Sequence, residues 1–362
     1  MKSCIRLFIC CLALGMGAIQ AHAQTRSIIS NLANPAIGFN ALFLVQAAPD
    51  LDQPYGPQFQ ESEISLISTV DPYWTLTANL VFAPDEVTPE EVFATNNEID
   101  NIQLKVGKFK VAFGKHGRLH THAYPFIQAP VIMENSIGEE GFNGTGIEAS
   151  WLSPLPWFCE LTLGGYQGGG TEGLNFASTA HENIPWLAHL KNQWDLGEDL
   201  TMELGESSLM GLGDDGLHHA AFGVDLTFRE IPMRQSNQRG WILAGEYIRR
   251  DSFGDGIYNQ ETDGWNAFLQ YRWSQSWWTG IRVEEAYHSL TETLVDGAGD
   301  PLPGHVQKGS ANITWTPSEF TAIRAEYSIA KADADDASGT AWDHRVMVQF
   351  NYTIGFHPPH SY

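Results

Sequence analysis

The fold is decided by the C-terminal stretch Arg345-Val346-Met347-Val348-Gln349-Phe350-Asn351-Tyr352-Thr353-Ile354-Gly355-Phe356. Val346, Val348, Phe350, Tyr352, Ile354 and Phe356 share one parity; Arg345, Met347, Gln349, Asn351, Thr353 and Gly355 share the other. Successive side chains of an extended chain point to opposite faces. The segment therefore reads as a strand with one greasy and one mostly polar face. A soluble sandwich gives the same alternation, so length, repetition and the position of the charges carry the distinction.

Working outward, the pattern recurs. Trp265, Ala267, Leu269, Tyr271 and Trp273 alternate with Asn266, Phe268, Gln270 and Arg272, and Phe222, Val224, Leu226 and Phe228 with Gly223, Asp225, Thr227 and Arg229. Ile281 and Val283 flank Arg282, while Ile323, Tyr327 and Ile329 interleave with Arg324, Glu326 and Ser328. Charges thus sit on the non-greasy face of long strands. Lipid cannot accept them, and a wet lumen can. The chain reads as all-β, a transmembrane antiparallel β-barrel with short periplasmic turns and longer external loops.

The connections agree. Short ones lie at 71–73, 153–156, 195–199, 274–276 and 317–318, with a somewhat longer one at 231–238. Longer polar stretches fall at 47–59, 84–97, 169–183, 251–261, 289–305 and 331–340. Counting from this alternation gives about 16 strands, within a range of about 14–18. Around Gly107-Lys108 the apolar parity flips from Ile102, Leu104 and Val106 to Phe109, Val111 and Phe113. A two-residue hairpin turn explains that flip, and a β-bulge in one strand does so equally well. The bulge lowers the count to about 14.

The N-terminus gives the compartment. Lys2 and Arg6 precede an apolar run from Leu7 to Ile19, and Ala21-His22-Ala23 is a small-residue cleavage pattern. Residues 1–23 are expected to be a signal peptide and 24–35 a periplasmic segment. The barrel is expected over 36–356, with a periplasmic tail at 357–362. One cysteine, Cys159, remains after cleavage, which leaves no disulfide framework and no Cys-based metal cluster. The leader holds two of the 20 Lys and Arg and none of the 43 Asp and Glu, leaving 18 against 43, a formal charge near −25. Nucleic acid is not expected as a partner, because phosphate backbones need clustered basic residues. An acidic surface suits loops or a pore that attract cations. Charge interrupts every apolar run of the mature chain before the length of a spanning helix. The 12 Trp, 11 Tyr and 19 Phe can supply the aromatic girdles of a barrel.

Two stretches carry a resemblance. Val106-Gly107-Lys108-Phe109-Lys110-Val111-Ala112-Phe113-Gly114 resembles a strand motif of phosphate- and pyrophosphate-selective porins. The runs Arg118-Leu119-His120-Thr121-His122-Ala123-Tyr124-Pro125-Phe126 and 134–142, with the ending 354–360, are similar to a family of zinc-regulated TonB-dependent outer-membrane receptors. That resemblance covers about 50 residues and implies a link to metal acquisition. The barrel pattern begins near Ala36, so a barrel without a plug domain is expected.

The chemistry-bearing residues concentrate between 105 and 140. His116, Arg118, His120 and His122 share one parity, and an extended segment would turn all four the same way. His120 and His122 can present two imidazoles to a divalent ion, with Glu134, Glu139 and Glu140 adding oxygen ligands. The same region leads into the third external loop, which porins of the general-diffusion kind fold into the lumen. There Lys105, Lys108, Lys110, Lys115 and Arg118 would face those acids and create a transverse field. Arg229, Glu246, Arg272, Arg282, Glu284, Arg324 and Glu326 are expected to line the wall. Asp214, Asp215, His218 and His219 read as an acidic external loop, since adjacent histidines on a strand diverge.

A nucleophile-elbow motif is absent from the sequence, and no enzymatic activity is expected. The leading expectation is a mildly cation-preferring channel for small hydrophilic solutes or ions. It would be embedded in outer-membrane lipid beside lipopolysaccharide, with a homotrimer as one assembly. Uptake of a metal ion or metal complex and a non-conducting structural or adhesion barrel stand as the alternatives. No cofactor is expected apart from a divalent cation in the second reading.

Overall fold

The computed structural model describes residues 35–48, 55–96, 98–138, 140–167, 176, 183–213, 215–230, 232, 239–254, 256–288, 304–333 and 340–355. The expected leader, the tail, Phe356, Glu139 and Asp214 lie outside them. The first eight strands are Ala36–Ala47 (β1), Gly56–Thr69 (β2), Trp74–Phe82 (β3), Val87–Asn96 (β4), Ile102–Lys110 (β5), Asn143–Leu152 (β6), Phe158–Gln167 (β7) and Trp186–Asp195 (β8). The others are Leu200–Leu212 (β9), His218–Glu230 (β10), Gly240–Gly254 (β11), Ile257–Ser274 (β12), Trp277–His288 (β13), His305–Ser318 (β14), Thr321–Asp333 (β15) and Thr340–Gly355 (β16). Each strand pairs antiparallel with its sequence neighbours, and β1 closes on β16 to complete the barrel. Closure leaves no sheet edge and pairs the strand backbones, the condition for a sheet to sit in hydrocarbon.

The alternation read from the sequence becomes an outside and an inside. Val224, Ile281 and Val346 are 47%, 59% and 55% exposed, whereas their chain neighbours Asp225, Arg282 and Met347 are 3%, 2% and 1% exposed. The outward band is apolar and is flanked by aromatics. Trp273, Trp277, Trp315 and Tyr352 stand near the short-turn end, and Trp186, Tyr258, Trp265 and Trp342 near the other. This is the surface pattern of a barrel facing lipid.

Three expectations about the strands need correction, and the effects of the first two on the count cancel. The polar stretch 84–97 is mostly strand β4, joined to β3 across 83–86, because its acidic residues face the lumen and hide the alternation. Around Gly107 there is neither a hairpin nor a bulge. β5 pairs with β4 and β6 in unbroken register through it. The parity flips because Phe109 turns inward and packs edge-on against Phe93 and Tyr166 at 5.9 and 6.0 Å. Similarly, strand continues through most of 251–261, leaving only 255–256 between β11 and β12.

The apolar core lies inside the barrel, and the reason is the connection 111–142 between β5 and β6. This is the third connection at the end opposite Ala36 and Gly355, and it folds inward. Phe109, Val111, Phe113, Ile132, Met133, Ile137 and Phe142 pack there against Leu209, Ala221, Ile248 and Ala286 of the wall. The loop contains two 3-10 turns, His116–Arg118 and Thr121–Ala123, and one short helix, Val131–Ser136 (α1).

Candidate functional site

A loop inside a barrel brings backbone N–H and C=O groups away from bulk water, and each needs a partner. The wall supplies them from charged and amide side chains. The amides of Lys115, Ile127 and Val131 donate to Glu246, Glu326 and Glu284 at 3.2, 2.9 and 2.8 Å. The amides of Lys110, the last residue of β5, and of Ala112 donate to Glu91 and Glu148, at 2.9 and 3.2 Å. In the other direction, Arg282 donates to the carbonyls of Gln128 and Ala129, and Arg324 to that of Tyr124. Asn351 reaches the carbonyl of His122, and Gln270 and Asn312 share that of Pro125. The wall residues expected from the sequence are therefore inside, and five of them, Glu246, Arg282, Glu284, Arg324 and Glu326, hold the loop. Arg282 and Glu284 also pair with each other at 3.0 Å, both almost fully buried.

The remaining expected residues divide. Lys115 pairs with Glu203 at 2.8 Å. Lys105 lies over the rings of Phe93 and Phe109, 4.2 and 4.1 Å from their centroids. Lys108 is on the outward parity of β5 and donates to the carbonyl of Pro89. Arg229 sits half-buried on β10, and Arg272 binds the carbonyls of Ser274 and Gln275 at the short-turn end. Glu134 is half-buried on α1 and Glu140 is exposed, its carbonyl accepting from Lys110. Arg118 projects into a cavity of about 370 Å³ that it shares with Lys105, Lys110, Glu91, Glu148 and Glu160. That cavity lies beside the loop and is lined by both bases and acids.

The equal orientation expected for His116, Arg118, His120 and His122 is not found, because the two 3-10 turns break the extended chain. His116 is buried against Tyr124, with ring centroids 4.3 Å apart. Its burial, with Arg282 and Lys110 nearby, holds its pKa well below the ordinary imidazole range. His120 and His122 do stay together, their rings stacked at 5.5 Å. His120 Nδ1 lies 2.8 Å from Glu90 and 3.2 Å from Glu63, and its Nε2 lies 3.0 Å from Glu91. Burial alone would lower the His120 pKa, and hydrogen bonds to these three carboxylates raise it well above the ordinary range instead. His122 Nδ1 is 3.7 Å from the same Glu63 oxygen. Lys110 completes the cluster, 2.9 Å from Glu90.

Glu63, Glu90 and Glu91 were not singled out in the sequence. Pro89-Glu90-Glu91 falls in the stretch read as a loop, and neighbouring acids on a strand ordinarily face opposite ways. A register shift between Asn79 and Leu80 leaves Glu90 without a cross-strand partner, so both Glu90 and Glu91 end up buried inside. At the far end, His218 and His219 do diverge, His219 turning inward to Asp215 at 3.0 Å.

No family model matches the chain. A protein of Aquifex aeolicus (strain VF5) described only as uncharacterized is 27% identical over 344 residues, covering 86% of this chain and 71% of that protein. Among solved structures, OprB of Pseudomonas putida superposes with a TM-score of 0.61 at 6% identity, covering 91% of this chain and 96% of that one. The trimer form of OmpT, an outer membrane protein of Vibrio cholerae, gives 0.55 at 9% identity, covering 89% and 99%. At such identities the likeness is one of fold, and it extends over nearly the whole described chain: a closed 16-stranded antiparallel barrel of the kind these outer-membrane proteins share.

Proposed function

We propose that the chain is a porin-like channel of a Gram-negative outer membrane, passing small hydrophilic solutes or ions by diffusion. The observation that carries this reading is the barrel with an apolar belt outside and a charged interior. Its third loop is folded into the lumen beside a cavity of about 370 Å³ lined by both signs of charge. A hydrated, narrowed passage with opposed charges sorts permeants by size and charge. Among the described residues, buried carboxylates outnumber buried Lys and Arg nine to three, which supports a mild preference for cations. The leader at 1–23 is the export signal in this reading. A homotrimer is its assembly, by analogy with the trimer form of OmpT. No reaction is assigned to the protein.

The test is planar-bilayer recording of the purified mature protein. Ohmic single-channel steps are expected. Persistently silent membranes would favour the structural-barrel alternative, which the many loop-to-wall bonds also support. A second reading, uptake of a metal ion or metal complex, draws on the imidazole and carboxylates gathered where the loop meets β2 and β4. It predicts that expression rises when zinc or iron is scarce.

A further inference from the structure

We propose that Glu63, Glu90 and His120, with His122 as the fourth donor, form a divalent transition-metal site that ties the inward loop to the barrel wall. Three ligand atoms, one from each of Glu63, Glu90 and His120, lie within 4.8 Å of one another. The separations from His120 Nδ1 to Glu90 Oε2 and Glu63 Oε2 are 2.8 and 3.2 Å, and His122 Nδ1 stands 3.7 Å from Glu63 Oε2. Donors about 2.0–2.1 Å from a tetrahedral zinc ion stand about 3.3 Å apart, so small side-chain shifts let Glu63, Glu90 and His120 admit the ion, and His122, outside that trio, completes the shell by turning its ring toward it. Two imidazoles and two carboxylates are a donor set for zinc and its neighbours rather than for calcium or magnesium, which take oxygen.

The second observation is what stands behind the ligands. A metal-bound histidine ordinarily gives its other ring N–H to a carboxylate, and bound carboxylates are themselves hydrogen-bonded. All three supports are present. His120 Nε2 meets Glu91 at 3.0 Å, Glu90 Oε1 takes Lys110 at 2.9 Å, and Glu63 Oε1 accepts from Ser65 at 2.7 Å. Each carboxylate thus keeps one oxygen turned toward His120. The bulge that turns both Glu90 and Glu91 inward supplies one ligand and one support from adjacent residues, a use to which bulges are put beside functional sites. Charge agrees as well. Glu61, Glu63, Glu90 and Glu91 gather around Lys110 and His120, an excess of carboxylate in a buried place that a divalent cation offsets.

The site gives the metal-handling reading its ligands, although binding is measured apart from transport. Titrating the folded, full-length barrel in detergent with Co²⁺ alone is expected to show one saturable visible band per chain, displaced by Zn²⁺. Glu63→Gln with His120→Gln should abolish the band. Glu91→Gln, which leaves every ligand atom in place, should weaken binding about 10- to 100-fold. His218→Ala, His344→Ala and removal of His357 and His360 should leave it unchanged. X-ray absorption of the wild-type zinc form is expected to show imidazole among about four N and O donors at about 2.0–2.1 Å. A shell of oxygen alone, no saturable site, or full binding by a folded Glu63→Gln/His120→Gln barrel overturns the proposal. Binding without metal uptake into proteoliposomes removes the uptake reading and leaves the site standing.

Discussion

At the scale of single residues, Gly107 shows how one position can mislead a reading and still be indispensable. It adopts φ of +140°, and a Cβ there would lie 2.3 Å from the Val92 carbonyl oxygen and 2.6 Å from Phe93 Cα. Glycine alone takes that conformation without strain, and here it lets β5 press against β4 where Phe109 enters the lumen. Gly107→Ala is expected to cost about 1–3 kcal/mol, measured by urea-dependent folding into lipid vesicles. Gly309→Ala, whose Cβ would find its nearest neighbour at 4.0 Å, is the contrast. It should be neutral or stabilise by up to about 1 kcal/mol. Equal losses at the two positions would contradict the close approach.

Elements add the question of which way a residue faces, and Val283 and Glu284 on β13 put it sharply. Val283 is 53% exposed on the outer belt. Val283→Arg places charge near the middle of the hydrocarbon and should cost about 2–4 kcal/mol in vesicle folding. Its neighbour Glu284 binds the Val131 amide and pairs with buried Arg282. Glu284→Ala leaves that guanidinium without its carboxylate, its bonds to the Gln128 and Ala129 carbonyls remaining, a loss of about 3–5 kcal/mol where a buried pair loses one partner. The loss falls on the loop anchorage, so proteolysis of 111–142 should accelerate while the barrel stays folded. A Glu284→Ala barrel with an equally protected loop would remove the anchoring role. β4 belongs to the same scale. Its acids made it read as loop, and only pairing with β3 and β5 shows it to be wall.

For the whole molecule, the balance of buried charge sets an expectation that no single residue carries. If the lumen field favours cations, selectivity depends on screening. The reversal potential under a salt gradient should show cation preference at low salt and lose it near 1 M, as the Debye length shrinks from about 30 to about 3 Å between 0.01 M and 1 M. Anion preference at low salt would contradict this. Crosslinking or light scattering in detergent should find three chains per particle if the homotrimer is its assembly.

The sequence by itself determined the barrel. Period-two alternation over strands such as β10, β12 and β16 is enforced by a solvent that differs on the two faces, so it is written into every residue of a strand and survives local exceptions. Inward placement of Glu246, Arg282, Glu284, Arg324 and Glu326 followed from the same parity. What these residues touch did not follow, because their partners on the loop lie about 130 to 200 positions away along the chain. Only the tertiary structure decided that the third loop turns inward and that wall charges satisfy its backbone. The meeting of His120 with Glu63 and Glu90 belongs there too. It depends on a bulge, two 3-10 turns and barrel closure, which bring together segments with no local signal for one another.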